Sequence, residues 1–249
     1  MKGFFTMSRD LLMLAIVPGL LIIIYVYTKD KVEKEPLPLI LKIIFFGILS
    51  CIAAGYIEAI AAEFLPHYPK GSLGYALVNA FALAAFWEEI LKYLALKIGS
   101  WKSKAFNYRF DGIVFGVSSA VGFAVYENIM YVAQYGLQTA IVRAVTAVPL
   151  HAFCGVFMGV FYALAKKNSI LGKGGRSLLC RIMALIVPMI IHGIYDTLAF
   201  IGIAATEYML FGFVIVLYIV AITTIKKMSK ADSHAGFYPE ARVINYTVE

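Results

Sequence analysis

Seven long apolar segments dominate the chain and restrict its fold more than any other feature. Of the 249 residues, 61% are hydrophobic and only 15% are charged, which is more apolar than a soluble domain requires. Each segment approaches the roughly 20 residues with which an α-helix crosses about 30 Å of hydrocarbon. We therefore predict an all-α protein, a polytopic transmembrane helical bundle in a lipid bilayer, with about seven spans and eight as the alternative. The segments are 11–27, 38–62, 75–97, 112–133, 144–165, 182–202 and 207–225.

The predicted bundle forms one membrane-embedded domain over residues 1–225, followed by a polar cytoplasmic tail over residues 226–249. We interpret 11–27 as a retained span and not as a cleaved signal peptide, because charged residues and no small-residue cleavage site follow it. The sequence shows no convincing internal repeat and no pair of interrupted helices.

The basic residues are distributed unevenly between the two sides of the predicted bundle. Of the 22 Lys and Arg residues, sixteen fall in gaps on one side and in the tail, four fall on the other side, and two lie inside segments. Positively charged loops favour the cytoplasmic side, so the pattern predicts an outside N-terminus and a cytoplasmic C-terminus. Because the basic residues form no continuous stripe, the net charge of +7 does not indicate a nucleic-acid partner.

Four consecutive segments carry ionisable residues deep inside the apolar run. Such groups are costly at membrane depth and commonly mark a pathway, a relay or a reaction centre. At a rise of about 1.5 Å per residue they fall in the middle-to-outer part of the membrane, where they can meet. We therefore predict one polar site inside the bundle. Its candidate residues are Glu88, Glu89, Lys92, Glu127, His151, His192 and Asp196.

The third segment contains two adjacent carboxylates and a lysine. Glu88 and Lys92 are four residues apart and share a helix face, which predicts an ion pair between them. Glu89 is rotated by about 100° and is expected to face a neighbouring helix. Two adjacent carboxylates in a low dielectric do not both ionise freely, which suits general acid–base chemistry. A buried ion pair that only fixes helix packing is the structural alternative.

Glu127 and Asn128 add a carboxylate and an amide in the fourth segment. Glu127 is a candidate acid or base, metal ligand or proton-relay member. Its alternative is a structural role in which Tyr126 and Tyr131 satisfy the carboxylate. Asn128 is expected to satisfy backbone or side-chain partners.

The fifth and sixth segments each contribute a histidine. His151 follows Pro149, which we expect to bend the helix, and taken alone it is equally compatible with a core position. His192 is the stronger candidate, because Asp196 lies one helical turn further on and can orient its imidazole. Two histidines from separate helices, with carboxylates from two more, favour a reaction centre.

In order and spacing these motifs resemble the PrsW family of bacterial membrane proteases. The resemblance extends from about Leu11 to Ile225. The family is distantly related to the CAAX-prenyl-protease and Abi group, in which an Arg one residue later replaces Lys92. That difference disfavours prenyl-peptide chemistry. The matching motifs are Glu88-Glu89-x-x-Lys92, Phe123-x-x-x-Glu127-Asn128, the span with His151, and His192-Gly-x-x-Asp196.

The resemblance implies a multi-pass endopeptidase of the bacterial plasma membrane. Its partner would be a single-span membrane protein, an anti-sigma factor, in which it makes the first cut on the extracytoplasmic side. A second protease then releases the sigma factor for a stress response.

We predict that Glu88 is the general base for a water molecule, with Glu89 as its proton partner or as a neighbour that orients it. His151 and His192 would stabilise the oxyanion or protonate the leaving amine. A cysteine nucleophile is disfavoured, because Cys154 has no separate orienting group.

Three further residues have supporting roles in this prediction. Asp196 orients His192, Lys92 favours ionisation of the glutamate pair, and Asn128 supports the site. Glu127 relays a proton or positions the water.

A metal-free route is our first expectation for the cofactor, because the HExxH signature of zinc proteases is absent. The alternative is a zinc ion held by His151, His192 and a carboxylate. A proton-coupled transporter or channel that uses the same buried residues is the competing function. A non-enzymatic scaffold or immunity protein is a third, less favoured hypothesis.

Overall fold

The computed structural model describes residues 8–232, which form eight α-helices and no β-strand. Seven stretches are long and apolar enough to cross a membrane, and α5 and α6 together make up one of them, Leu137–Ile170. The predicted all-α bundle with seven spans is therefore confirmed. The helices are α1 (Arg9–Lys29), α2 (Leu37–Ala62), α3 (Leu73–Ser100), α4 (Arg109–Tyr135), α5 (Leu137–Val145), α6 (Ala147–Ile170), α7 (Gly174–Ile201) and α8 (Ala204–Lys230).

Helix α8 continues to Lys230, so the start of the predicted polar tail belongs to the last span. The rest of that tail, residues 233–249, lies outside the described residues. So do Lys2 and Arg242, two of the charges behind the predicted orientation, and the sidedness of the termini stays a prediction.

Helix α4 is the central helix of the bundle and contacts its neighbours through backbone. A Cβ added at Gly116 would lie 2.3 Å from the carbonyl oxygen of Gly155 on α6. On another face of α4, a Cβ at Gly47 of α2 would lie 2.2 Å from the carbonyl oxygen of Ser119. These contacts require glycine, because any side chain would push the helices apart. They hold α2, α4 and α6 in a fixed register.

Two of the spans are interrupted, contrary to our expectation from the sequence. Helix α3 contains a π-helical segment, Val78–Ala85, which ends three residues before Glu88. The fifth span breaks at Thr146, whose φ of −120° and ψ of −72° separate α5 from α6. Both irregularities come shortly before a predicted site residue, as π segments frequently do.

We expected Pro149 to bend its helix, but it does not. Helix α6 begins at Ala147, so Pro149 lies in its first turn. The first N–H groups of a helix have no partner within the helix, and a proline there removes no hydrogen bond. His151 therefore lies on a regular part of α6.

The outer surface of the bundle is apolar, as a lipid-facing surface should be. Large hydrophobic side chains such as Ile24, Phe45 and Ile219 are more than half exposed, at 57%, 55% and 59%. Hydrocarbon solvates such a surface without cost, whereas water would not.

Candidate active site

The glutamate pair and the lysine of α3 form one buried ionic group. The Nζ of Lys92 lies 3.0 Å from Oε2 of Glu88 and 2.8 Å from Oε1 of Glu89. The Lys92 ammonium also lies 4.0 Å from the centre of the Phe123 ring, a cation–π contact. The predicted pair of Glu88 with Lys92 is present, and the lysine also neutralises Glu89.

His151 joins this group from α6. Its Nδ1 lies 2.9 Å from Nζ of Lys92, and its Nε2 lies 2.9 Å from Oε2 of Glu127. An ammonium group can only donate, so Nδ1 accepts and the ring proton is on Nε2. His151 is thus held in one tautomer, with its N–H donated to Glu127.

His192 reaches the group from α7 and lies between two carboxylates. Its Nδ1 is 2.9 Å from Oε1 of Glu89, as expected for a residue facing a neighbouring helix, and its Nε2 is 3.2 Å from Oδ2 of Asp196. A neutral imidazole donates through only one nitrogen, so satisfying both contacts takes one additional proton. The His192 ring packs edge-on against His151, with centroids 5.0 Å apart. Both contacts are therefore satisfied when His192 or one of these two carboxylates holds an additional proton.

Glu127 is paired with Arg143, a residue to which the sequence analysis gave no role. Nη2 of Arg143 lies 2.6 Å from Oε2 of Glu127, and its Nε donates to Oδ1 of Asn128 at 3.0 Å. Asn128 in turn donates to the carbonyl oxygen of Ala15 on α1. Tyr131 lies under the guanidinium, 4.0 Å from its carbon, so the arginine satisfies Glu127 where we had considered tyrosines.

A cavity of about 820 Å³ opens on this group between α2, α3, α4, α5, α6 and α7. Five of the predicted residues are in its wall, namely Glu88, Glu127, His151, His192 and Asp196. A polar cavity of this size inside an apolar bundle can admit water and a stretch of peptide.

The other three predicted residues, Glu89, Lys92 and Asn128, are fully buried behind the wall at 0% exposure. They act on the residues of the wall and make no contact with the cavity itself. Cys154 is also fully buried, and its Sγ contacts the carbonyl oxygen of Pro188, away from the cavity.

Glu58 of α2 is a second residue of the cavity wall that the sequence did not indicate. Its Oε1 has no hydrogen-bond partner, and its carboxylate is outside the ion pairs of the described residues. It is one helical turn beyond Ala54, which also lines the cavity, so both residues are on the same face of α2.

The Glu/His cluster, which we define as Glu88, Glu89, His151 and His192, has the donor atoms of a metal site. One donor from each residue lies within 4.8 Å of all the others. In addition, Oε2 of Glu89 is buried without a hydrogen-bond partner. Nitrogen and carboxylate donors in this number suit zinc. The ammonium of Lys92 contacts three of the four residues, so a bound cation would share these side chains with Lys92.

Comparison with known proteins agrees with this geometry. Residues 35–223 match the family model described as "PrsW family intramembrane metalloprotease". Protease PrsW of Halalkalibacterium halodurans is 31% identical over 224 residues, which cover 90% of this chain and 99% of that protein. Protease PrsW of Bacillus subtilis is 32% identical over 181 residues, 73% of this chain and 78% of that protein. No solved structure matches this chain.

The matched region contains every residue of the Glu/His cluster together with Lys92, Glu127 and Asp196. The chain belongs to the PrsW family of intramembrane metalloproteases, and it is a peptidase and a multi-pass protein of a bacterial membrane.

Proposed function

We propose that this peptidase makes the first cut in a single-span anti-sigma factor, on the extracytoplasmic side of the membrane. The observation that carries the chemistry is the convergence of the Glu/His cluster from α3, α6 and α7 beside one cavity within the bundle, with Glu88, His151 and His192 in its wall. The family resemblance supports the kind of substrate, and the uneven distribution of Lys and Arg supports the side of attack.

Glu88 is the general base in this proposal. It is the only carboxylate of the glutamate pair that lines the cavity, so it can accept the proton of an attacking water molecule. Glu89 is its fixed neighbour, held by Lys92 and His192. The Lys92 ammonium favours the ionised form of both carboxylates, which keeps Glu88 able to take up the proton.

The two histidines act on the other side of the scissile bond. His192 carries the additional proton identified above and can donate it to the leaving amine, while Asp196 keeps its ring in place. His151 is oriented by Glu127, and we assign stabilisation of the developing oxyanion to its Nε2–H, which Glu127 accepts in the substrate-free site. Arg143 fixes Glu127 and so acts as a positioning residue.

If a divalent metal is bound, we infer that His151, His192 and one of Glu88 and Glu89 hold it. Such an ion would polarise the scissile carbonyl and acidify a water molecule. Lys92 would then share the carboxylates with the ion and limit the negative charge of the site.

The test is cleavage of a co-expressed single-span anti-sigma factor from the same genome. Fragments should appear with the wild type and be absent with Glu88→Gln and with His192→Ala, and mass spectrometry should place the cut on the extracytoplasmic side. Glu58→Gln is the matched control, because it removes a cavity carboxylate outside the Glu/His cluster.

Unchanged cleavage by Glu88→Gln would overturn the assignment of the base. Glu88-dependent proton flux in proteoliposomes, without any fragment from a panel of anti-sigma factors, would favour the transporter. A cut on the cytoplasmic side would retain the peptidase but reject the first-cut role.

A further inference from the structure

A second group of carboxylates lies at the end of the bundle where α1 ends and α2 and α4 begin. We call Asp30, Glu35 and Asp111 the acidic triad. Their exposed fractions are only 1%, 2% and 0%. One carboxylate oxygen from each residue lies within 4.8 Å of the other two. Three carboxyl groups thus converge in a place that water hardly reaches.

Four oxygens of the acidic triad have no hydrogen-bond partner. They are Oδ1 and Oδ2 of Asp30, Oε2 of Glu35 and Oδ1 of Asp111. Oδ2 of Asp111 caps α4 by accepting from the backbone N–H groups of Asn107 and Tyr108, and the carboxyl groups of Glu35 and Asp111 lie within hydrogen-bond reach of each other. Buried oxygens without partners are costly and rare, so their accumulation at one point needs a cause.

The chain itself does not neutralise the acidic triad through an ion pair. Among residues 8–232, no Lys, Arg or His nitrogen lies within 4.0 Å of these carboxylates in an ion pair. Lys34 lies nearby, but its ammonium donates to the backbone carbonyl oxygens of Tyr27 and Asp30. Among the described residues, the unpartnered oxygens of the acidic triad are therefore open to a cation from solution.

We propose that the acidic triad binds a hard divalent cation, Mg²⁺ or Ca²⁺. Carboxylate oxygens without nitrogen or sulfur donors are the ligands that these ions prefer. Oxygens on opposite sides of the ion are about 4.0–4.2 Å apart around Mg²⁺ and about 4.6–5.2 Å apart around Ca²⁺. The observed spread of up to 4.8 Å is of this size. Both free oxygens of Asp30 are available as ligands.

This site is separate from the Glu/His cluster. Asp111 and Glu127 both lie on α4, sixteen residues apart, which corresponds to about 24 Å along the helix axis. The donor types also differ, since the Glu/His cluster contains two histidines and the acidic triad none. The proposal does not depend on the peptidase function.

A cation in this place would join three parts of the fold. Asp30 ends α1, Glu35 belongs to the turn before α2, and Asp111 is in the first turn of the central helix. The end of α8 is attached to the same place, because Ser229 donates to the carbonyl oxygen of Lys29. The ion would therefore stabilise one end of the bundle against opening.

The first experiment measures thermal stability of the full-length protein in detergent after treatment with EDTA. Adding Mg²⁺ or Ca²⁺ at about one hundred times its dissociation constant should raise the melting temperature by about 5–10 °C. Asp30→Asn and Glu35→Gln should lose most of that rise, and without cation they should be at least as stable as the wild type. Glu33→Gln, an exposed carboxylate in the same turn, should respond as the wild type does.

The second experiment uses Mn²⁺ as a spectroscopic probe and needs no variant. Pulsed electron paramagnetic resonance should show a bound Mn²⁺ without directly coordinated nitrogen, since histidine ligands would report the Glu/His cluster. A wild type that does not respond to Mg²⁺ or Ca²⁺ would overturn the proposal. A response unchanged in both variants, or Mn²⁺ coordinated only by nitrogen, would also overturn it. A proton shared between Glu35 and Asp111 would then account for the buried carboxyl groups.

Discussion

The Glu/His cluster and the acidic triad are both buried and rich in carboxylates, but they are neutralised in different ways. In and beside the Glu/His cluster, Glu88, Glu89, Glu127 and Asp196 each lie within ion-pair distance of Lys92, Arg143 or a histidine. The acidic triad has no such partner among the described residues, and burial raises the pKa of Asp30 to about 6 and that of Glu35 to about 10. Among the described residues, the bundle thus supplies side-chain cations to the candidate active site and none within ion-pair distance of the acidic triad.

We expect the largest effect at Glu88, the proposed general base of the Glu/His cluster. Glu88→Gln keeps the size of the side chain but removes the proton acceptor, and we expect cleavage to fall by about 10²–10⁴-fold. The rate of fragment formation measures this, with Glu58→Gln as the control that should keep most of the activity. A melting temperature near that of the wild type would show that the loss is chemical.

Lys92→Met removes the countercharge and makes the Glu/His cluster resemble the acidic triad. Because two buried carboxylates then lose their cation, we expect a loss of about 3–5 kcal/mol in the free energy of unfolding. Denaturant titration in detergent measures it. The double variant Lys92→Met with Glu88→Gln should recover part of the stability, and a purely additive result would contradict the charge argument.

Glu35→Lys makes the opposite change and gives the acidic triad its own cation. A lysine here can pair with Asp30 and Asp111, so the melting temperature should no longer respond to Mg²⁺ or Ca²⁺. The expected change is loss of the rise of about 5–10 °C, measured by thermal denaturation. A full response in Glu35→Lys would show that the cation binds elsewhere.

Arg143→Gln tests a cation that acts on the Glu/His cluster indirectly, through Glu127. Arg143 holds Glu127, which holds His151, so we expect the turnover number to fall by about 10–100-fold with little change in KM. Stability should fall by no more than about 3 kcal/mol, because Glu127 keeps its contact with His151. Partial rescue by Arg143→Lys would support positioning, whereas a large loss of stability would indicate a structural residue.

The smallest effect is a dependence of stability on pH in EDTA. Burial beside Asp111, Asp30 and Glu33 raises the pKa of Glu35 above its value of 4.5 in the unfolded chain, to about 10. The folded form therefore holds the proton, and the stability it contributes is complete below about pH 4.5 and decreases as the pH rises towards 10. Glu35→Gln cannot lose a proton, so its melting temperature should exceed that of the wild type increasingly from pH 5 to pH 9. An advantage independent of pH would contradict this.

Contacts within one helix were predictable from the sequence, because the rise and rotation per residue are fixed. The four-residue spacing predicted both Glu88 with Lys92 and His192 with Asp196, and both contacts are present. The spans themselves followed from apolar length alone. In each case the sequence contains both partners on the same helix.

Contacts that depend on a break in a helix were not predictable. Arg143 reaches Glu127 from α5, a short helix between the breaks at Gly136 and Thr146. The acidic triad was missed for a different reason: Asp30 and Glu35 lie among lysines in a short turn and have the sequence of an exposed loop. Their burial results from packing against the start of α4, which no local pattern reveals.

The position of Lys92 also matters while the protein is being made. His192 follows Glu89 by 103 residues, so at about 5–20 residues per second the ribosome needs roughly 5–20 s to supply it. During that interval α3 has to enter the membrane with two carboxylates and no histidine. Lys92 is on the same helix, one turn away, and enters together with them. Helix α3 thus enters the membrane together with its own countercharge, before the later helices of the peptidase have been synthesised.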